Sequence, residues 1–203
     1  MNGPRLHFEN VRRRFGRLAV LQGVSGTVEP GGLLLVTGPN GSGKSTLLRC
    51  LAGLLSPDAG TIDYRENGAD LDVSERRRRA GVVAPDLAFY SELTVEENLA
   101  FFARLRRVSP ERSLGVLRRM ELPLDRMAGA LSSGMRQRLR WAWALLHSPR
   151  LLLLDEPFQN FDAPGERVAR ELLGEHLAGG GLAVVANPFH LDFDHVQRLD
   201  LGR

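Results

Sequence analysis

Three short apolar runs without a polar interruption stand out along this chain. They are Leu33–Val36, Leu151–Leu154 and Leu182–Val185. Such runs are typical of strands that are buried on both faces, as in the parallel sheets of α/β proteins. Residues 6–12 and 18–28 instead alternate between apolar and polar positions. This alternation predicts two further strands at the edge of a mixed sheet.

Helical spacing of apolar residues follows the first buried strand and returns in the middle of the chain. Leu47, Leu48, Leu51 and Leu54 predict a helix, and residues 87–148 contain the similar sets Leu99/Phe102/Leu105 and Leu139/Trp143/Leu146. Strands at both ends with helices between them predict an α/β fold with an inserted helical lobe. We expect one domain over 1–203, with a core at 1–86 and 149–203 and the lobe at 87–148.

Composition narrows the class of protein further. The 203 residues are 43% hydrophobic and 25% charged, which fits one globular domain. No apolar run is long enough to cross a bilayer and no signal-peptide core is present, so we expect a cytoplasmic protein. Cys50 stands alone, which excludes a disulfide framework or a cysteine metal site. The basic run Arg76–Arg79 is expected to be a solvated face.

The basic residues include a single lysine, Lys44, among 27 lysines and arginines. The two side chains are not interchangeable where a site needs a compact ammonium group rather than a planar fork. Lys44 is therefore a candidate functional residue.

A phosphate-binding loop surrounds this lysine. The residues match G-x-x-x-x-G-K-[ST] after a buried strand and before a helix. In such a loop the backbone N–H groups and the helix N-terminus cradle phosphates. The lysine reaches the β- and γ-phosphates and the first hydroxyl coordinates Mg²⁺. The predicted ATP-binding residues are Gly38, Pro39, Asn40, Gly41, Ser42, Gly43, Lys44, Ser45 and Thr46, with Ser45 also a magnesium ligand.

Two acids end the second buried strand. Asp155 and Glu156 follow Leu151–Leu154 directly, and ligands bind outside the carboxyl ends of strands in such sheets. We expect Asp155 to hold Mg²⁺ and Glu156 to polarise the attacking water. With Lys44, Glu156 is the predicted catalytic residue.

Upstream of these acids, Leu131–Met135 reads LSSGM and opens a helix running to about His147. In order after the phosphate loop and before LLLLDEP, it resembles the LSGGQ signature of the ABC transporter ATP-binding subunits. The resemblance implies a P-loop NTPase core with an inserted helical subdomain. It also implies that Ser132 and Gly134 bind the γ-phosphate of an ATP held by a second ABC subunit, in a homo- or heterodimer.

Other positions are similar to the same family. Phe15 sits where an aromatic ring usually stacks on adenine, and Leu93–Leu99 looks like the segment that opens the helical lobe. Asp162 resembles the end of the D-loop at the dimer interface, and Leu199–Arg203 resembles the last core strand. The resemblance implies a separate integral membrane permease and a location on the inner face of the cell membrane. The short length is similar to that of CcmA-type subunits of haem export in cytochrome c maturation.

The sequence departs from the family pattern in three places. Ser133 and Met135 replace the usual glycine and glutamine of the signature. The Q-loop glutamine is absent from residues 83–86, where Asp86 is a candidate for reaching the metal through water. The switch histidine is absent after Val185, and His190 is expected to be exposed rather than its substitute. Losing such a contact typically costs on the order of a hundredfold in rate, so we expect slow hydrolysis.

Three functions follow from these features. The first is an ATPase that energises transport through the permease, with ATP and Mg²⁺ as cofactors. The second is a degenerate subunit that binds ATP as a switch with little turnover, and the third is a non-transport ABC ATPase. Nucleic acid is not an expected partner, because no broad basic face is evident.

Overall fold

The computed structural model describes residues 3–187, 193 and 196–202. Over these residues the chain forms nine strands and six α-helices. In order they are β1 (Arg5–Phe15), β2 (Leu18–Val28), β3 (Leu33–Thr37), α1 (Lys44–Leu51), β4 (Ala59–Glu66), β5 (Ala69–Leu71), α2 (Val73–Arg79), β6 (Ala80–Val83), α3 (Val95–Arg106), α4 (Pro110–Arg119), α5 (Ser133–Leu145), β7 (Leu151–Asp155), α6 (Ala163–Ala178), β8 (Leu182–Ala186) and β9 (Val196–Asp200). None of the helices in this part of the chain has both the length and the apolar character needed to cross a membrane.

A five-stranded parallel sheet forms the centre of the molecule, in the order β6-β7-β8-β3-β9. The three predicted buried strands are its inner strands. Leu33 and Leu35 pack with residues of α3, α5 and α6, whereas Leu34 and Val36 pack with α1 and the other sheet. Both faces are therefore covered, which explains why these strands are apolar at every position.

A second, antiparallel sheet has the order β2-β1-β4-β5. It contains the two strands predicted over 6–12 and 18–28, and their placement at the edge of the same sheet as the buried strands was wrong. Leu6, Phe8 and Val11 of β1 are fully buried against the core that contains α1. The alternation therefore reflects one face packed on α1 and the parallel sheet. The α/β P-loop fold class is confirmed.

Helices α3, α4 and α5 lie between β6 and β7, in the segment predicted as the helical lobe. A capping box begins α3: the Thr94 hydroxyl accepts from the Glu97 N–H at 3.2 Å, and the Glu97 carboxylate accepts from the Thr94 N–H at 2.8 Å. One predicted helical position is wrong, because Leu54 lies beyond the end of α1 and is 55% exposed. Leu105 lies within α3 as predicted, although it is 67% exposed. The division into core and lobe at 86/87 and 148/149 stays a prediction.

The arginine run at 76–79 is only partly a solvated face. Arg77, Arg78 and Arg79 are exposed, but Arg76 is buried and its Nη1 donates to the Ile62 carbonyl oxygen at 2.8 Å. The prediction was wrong for Arg76, because one side of the short helix α2 faces β4.

Candidate functional site

The phosphate loop connects β3, at the interior of the parallel sheet, to α1. Its backbone turns through positive φ angles at Gly38 (137°), Gly41 (83°) and Gly43 (100°), which favour glycine. A Cβ on Gly43 would lie 2.9 Å from the Val20 side chain and 3.0 Å from that of Leu21. Glycine is thus required at position 43 both for its φ angle and because β2 closes against the loop.

Lys44 and Ser42 are the polar side chains that face into this loop. The Lys44 ammonium donates to the Gly38 carbonyl oxygen at 2.7 Å and to the Pro39 carbonyl oxygen at 2.9 Å, and the residue is only 7% exposed. The Ser42 hydroxyl is buried and has no hydrogen-bond partner among the described residues. A buried hydroxyl without a partner is costly, so a ligand oxygen fits here. The loop is suited to phosphate.

Asp155 lies at the end of β7, beside the start of α1. It is 6% exposed, and it lines the same cavity as Ser45. Burial raises the pKa of the Asp155 carboxyl above its usual 3.8, although the Ser45 hydroxyl acts in the opposite direction. A carboxylate and a hydroxyl are the hard oxygen ligands that Mg²⁺ prefers, and a cation would offset the buried negative charge. The pair predicted to hold Mg²⁺ is brought together.

Glu156 follows in a left-handed backbone conformation with φ of 47°. This conformation is uncommon for a residue with a side chain. It is held by the Glu156 N–H, which donates to the Ala186 carbonyl oxygen at 2.9 Å, and by Gln137 Nε2, which donates to the Glu156 carbonyl oxygen at 3.3 Å. The chain therefore turns sharply after Asp155, and Glu156 is half-buried beside it.

Phe15 is the last residue of β1. Its strand partner Leu18 lies beside the phosphate loop. The Phe15 ring is 49% exposed, and the Arg13 guanidinium lies 5.0 Å from its centroid. Leu18, the strand partner of Phe15, lines a groove of about 410 Å³ that also includes Gly41 and Ser42. The placement is compatible with stacking on a base, and this role stays a prediction.

Ser132 and Gly134 lie at the start of α5, in the helical layer. The Ser132 hydroxyl accepts from the Met135 N–H at 3.2 Å as the helix N-cap. A Cβ on Gly134 would lie 2.8 Å from the Asn160 carbonyl oxygen. These described contacts join α5 to the segment before α6, not to the chain's own phosphate loop. A role toward a second subunit's ATP stays a prediction.

Asp162 is exposed but has contacts within its own chain. It is the N-cap of α6, with its carboxylate 3.1 Å from the Gly165 N–H, and it pairs with Arg138 at 2.8 Å. The Arg138 hydrogen bond lowers the pKa of Asp162 below its usual 3.8. Its predicted place at a dimer interface is untested by these contacts.

Two of the three departures from the family pattern, at the Q-loop and at the switch histidine, fall in different surroundings. Asp86 pairs with Arg49 of α1, Oδ2 to Nη2, at 2.7 Å. Both residues line a cavity of about 420 Å³ that also includes Ser45 and Asp155, so Asp86 does share a groove with the predicted metal ligands. The switch histidine is missing at Asn187 or Pro188, of which Pro188 lies outside the described residues. Asn187 is buried, and its N–H donates to the Val36 carbonyl oxygen at 3.3 Å. His190 lies outside the described residues.

Three polar residues near the site were not predicted from the sequence. Gln137 and Arg140 of α5 contact the backbone around Glu156 and around Asp86, and Arg49 pairs with Asp86. The sequence of α5 gave helical spacing only, and no sequence pattern identifies which backbone carbonyls such side chains meet.

Comparison with known proteins places this geometry among nucleotide-binding cassettes. Residues 21–159 match the family model described as ABC transporter. The chain is 40% identical over 178 residues to the sulfate/thiosulfate import ATP-binding protein CysA of Bordetella bronchiseptica, covering 82% of this chain and 49% of that protein. It thus spans about half the length of that relative.

A second relative matches almost from end to end. The cytochrome c biogenesis ATP-binding export protein CcmA of Nitrosococcus oceani is 36% identical over 204 residues, covering 98% of this chain and 93% of that protein. Among solved structures, an ATP-binding cassette described as a dimeric post-hydrolysis state bound to ADP and Pi has a TM-score of 0.78 at 25% identity. The match covers 90% of this chain and 87% of that one.

Proposed function

The chain belongs to the ABC transporter family of ATP-binding proteins, and on this premise we propose that it is the ATP-hydrolysing subunit of a transporter whose permease is a separate chain. The observation that carries the proposal is the pairing of two elements. A glycine loop with a buried Lys44 and an unpartnered Ser42 hydroxyl lies next to Ser45 and Asp155, which line one cavity. This combination suits a nucleoside triphosphate with Mg²⁺.

Each residue then has a defined task. Lys44 would leave the Gly38 and Pro39 carbonyls to hold β- and γ-phosphate oxygens, within a ring of loop N–H groups. Ser45 and Asp155 would hold Mg²⁺, which neutralises charge developing on the phosphates. Glu156 would orient the attacking water and accept its proton, and Phe15 would support the adenine.

The proposal includes a second ABC subunit. Ser132 and Gly134 lie at the N-terminus of α5, and a helix N-terminus with free N–H groups binds anions. In a head-to-tail dimer they would contact the γ-phosphate of the ATP held by the other subunit, with Asp162 at the interface. The related cassette described as a dimer with ADP and Pi supports this arrangement. The permease would place the chain on the inner face of the cell membrane.

For the cargo we propose haem export of the cytochrome c maturation type. The support is the match in length: the chain covers 93% of the cytochrome c biogenesis relative, at 36% identity, against 49% of the sulfate/thiosulfate relative, at 40% identity. A second candidate function is an ATP-binding switch with little turnover. It is favoured by Asp86, which pairs with Arg49 and lies in the segment that lacks the family glutamine, and by the missing family histidine at Asn187 or Pro188.

Phosphate release by the purified chain with Mg-ATP tests the proposal, with Glu156→Gln as the matched blank. Turnover above the blank supports an ATPase in which Glu156 is the catalytic base. Binding of ATP without turnover, persisting when the permease is added, favours the switch. A chain that neither binds nor hydrolyses ATP contradicts both functions.

A further inference from the structure

Arg140 connects α5 to the loop that follows β6. Its Nη2 donates to the Pro85 carbonyl oxygen at 2.6 Å and its Nε to the Leu87 carbonyl oxygen at 3.4 Å, while Nη1 donates to Gln137 Oε1 at 3.1 Å. One guanidinium thus satisfies three acceptors on two elements. A planar fork with fixed donors holds such a geometry better than a flexible ammonium group.

Gln137 carries the connection onward to the end of β7. Because Arg140 donates to its Oε1, the amide must present Nε2 on the other side. That Nε2 donates to the Glu156 carbonyl oxygen at 3.3 Å and to the Pro157 carbonyl oxygen at 2.8 Å, and Gln137 is 3% exposed. Trp141 Nε1 also donates to Pro157, at 2.8 Å. Residues 137, 140 and 141 share one helix face, so this face fixes the backbone that aims Glu156.

The loop that Arg140 contacts also contacts α1, the helix that follows the phosphate loop. Asp86 lies between Pro85 and Leu87, and its carboxylate pairs with Arg49 at 2.7 Å. Arg49 is one helical turn after Ser45 on α1. The contacts therefore run without a gap from α1 through loop 84–88 to α5, and from α5 to Glu156.

We propose that Arg140 is a positioning residue for ATP hydrolysis, which links the conformation of loop 84–88 to the placement of Glu156. The inference rests on the proposed ATPase function of the same site. Arg140 acts on the backbone of loop 84–88 and, through Gln137, on that of Glu156, and its contacts lie on the carbonyls of residues 85 and 87, not on the nucleotide. Its loss should therefore leave ATP binding intact and slow the chemical step. Arg140 thus contacts the segment around Asp86, where the sequence lacks the family glutamine.

Steady-state hydrolysis by Arg140→Ala tests this assignment, with Arg104→Ala as control. Arg104 is exposed on α3 and lies in neither contact network. We expect kcat of Arg140→Ala to fall roughly tenfold with KM for ATP within about twofold, because the lost contacts act on Glu156 placement and not on binding. Arg104→Ala should retain the wild-type kcat and KM.

Arg140→Lys covers the case in which the alanine variant does not fold. It keeps the charge but not the planar fork, so kcat should again fall, by less, without a rise in KM. A folded variant of either kind with wild-type kcat, or with raised KM and unchanged kcat, would overturn the inference. Absence of ATP binding and turnover in the wild-type chain would instead contradict the proposed function, and with it the inference.

Discussion

Replacing Gly134 with alanine should lower the free energy of unfolding, because residue 134 of the LSSGM segment packs closely against another part of the chain. The new methyl group would lie 2.8 Å from the Asn160 carbonyl oxygen. Asn160 itself has a φ of 64°, so its backbone has little freedom to retreat. Overpacking of this kind costs about 1–3 kcal/mol, and the higher helix preference of alanine recovers about 0.5–1 kcal/mol. The free energy of unfolding should therefore fall by up to about 2.5 kcal/mol.

Thermal unfolding measured by circular dichroism checks this value. For a chain of this size the loss corresponds to a Tm decrease of up to about 10 °C. Gly174→Ala is the matched control, because it lies inside α6 with nothing within 4 Å of the added Cβ. Its Tm should rise by about 1–4 °C. Equal gains in Tm for both variants would refute the close approach of α5 to Asn160.

Three further results are expected. Lys44→Ala should lose binding of a fluorescent ATP analogue or turnover, whereas unchanged ATPase activity would contradict the phosphate-loop assignment. Asp155→Asn should raise the Mg²⁺ concentration needed for half-maximal phosphate release by about tenfold or more, since one of two proposed ligands loses its charge. An unchanged Mg²⁺ dependence would contradict the assignment of Asp155 to the metal site. Burial lowers the pKa of His176 below its usual 6.5, so the unfolded chain binds a proton at higher pH than the folded chain. The free energy of unfolding should therefore decrease as pH falls below 6.5, and urea titrations of wild type and His176→Gln should show that the variant loses part of this dependence.

The buried parts of the fold were predictable because their physical signal is local. A strand covered on both faces must be apolar at every position, and Leu33–Val36, Leu151–Leu154 and Leu182–Val185 are such strands. The phosphate loop was equally accessible, because its glycines and its single lysine are demanded by backbone angles and phosphate chemistry. The placement of Ser45 and Asp155 along one cavity also follows from the order of these elements.

Features that depend on distant neighbours were not accessible from the sequence. The division of the strands between two sheets depends on which strands pair, and the alternation in β1 and β2 does not encode the partner. Arg76 is buried because β4 offers it the Ile62 carbonyl oxygen, a contact that a run of four arginines cannot indicate. For the same reason Arg140 was seen only as part of a helix, although it contacts two elements.

Because the sole lysine is buried, cleavage by a lysine-specific protease can measure local unfolding around it. A lysine-specific protease has one internal cleavage site, after residue 44, and would yield two fragments of very different mass. In the folded protein that peptide bond is in the first turn of α1 and the ammonium group is held by two carbonyls. Cleavage therefore requires local unfolding of the phosphate loop and the first turn of α1. The ratio of the cleavage rates without and with ATP measures how far bound ATP suppresses this local unfolding.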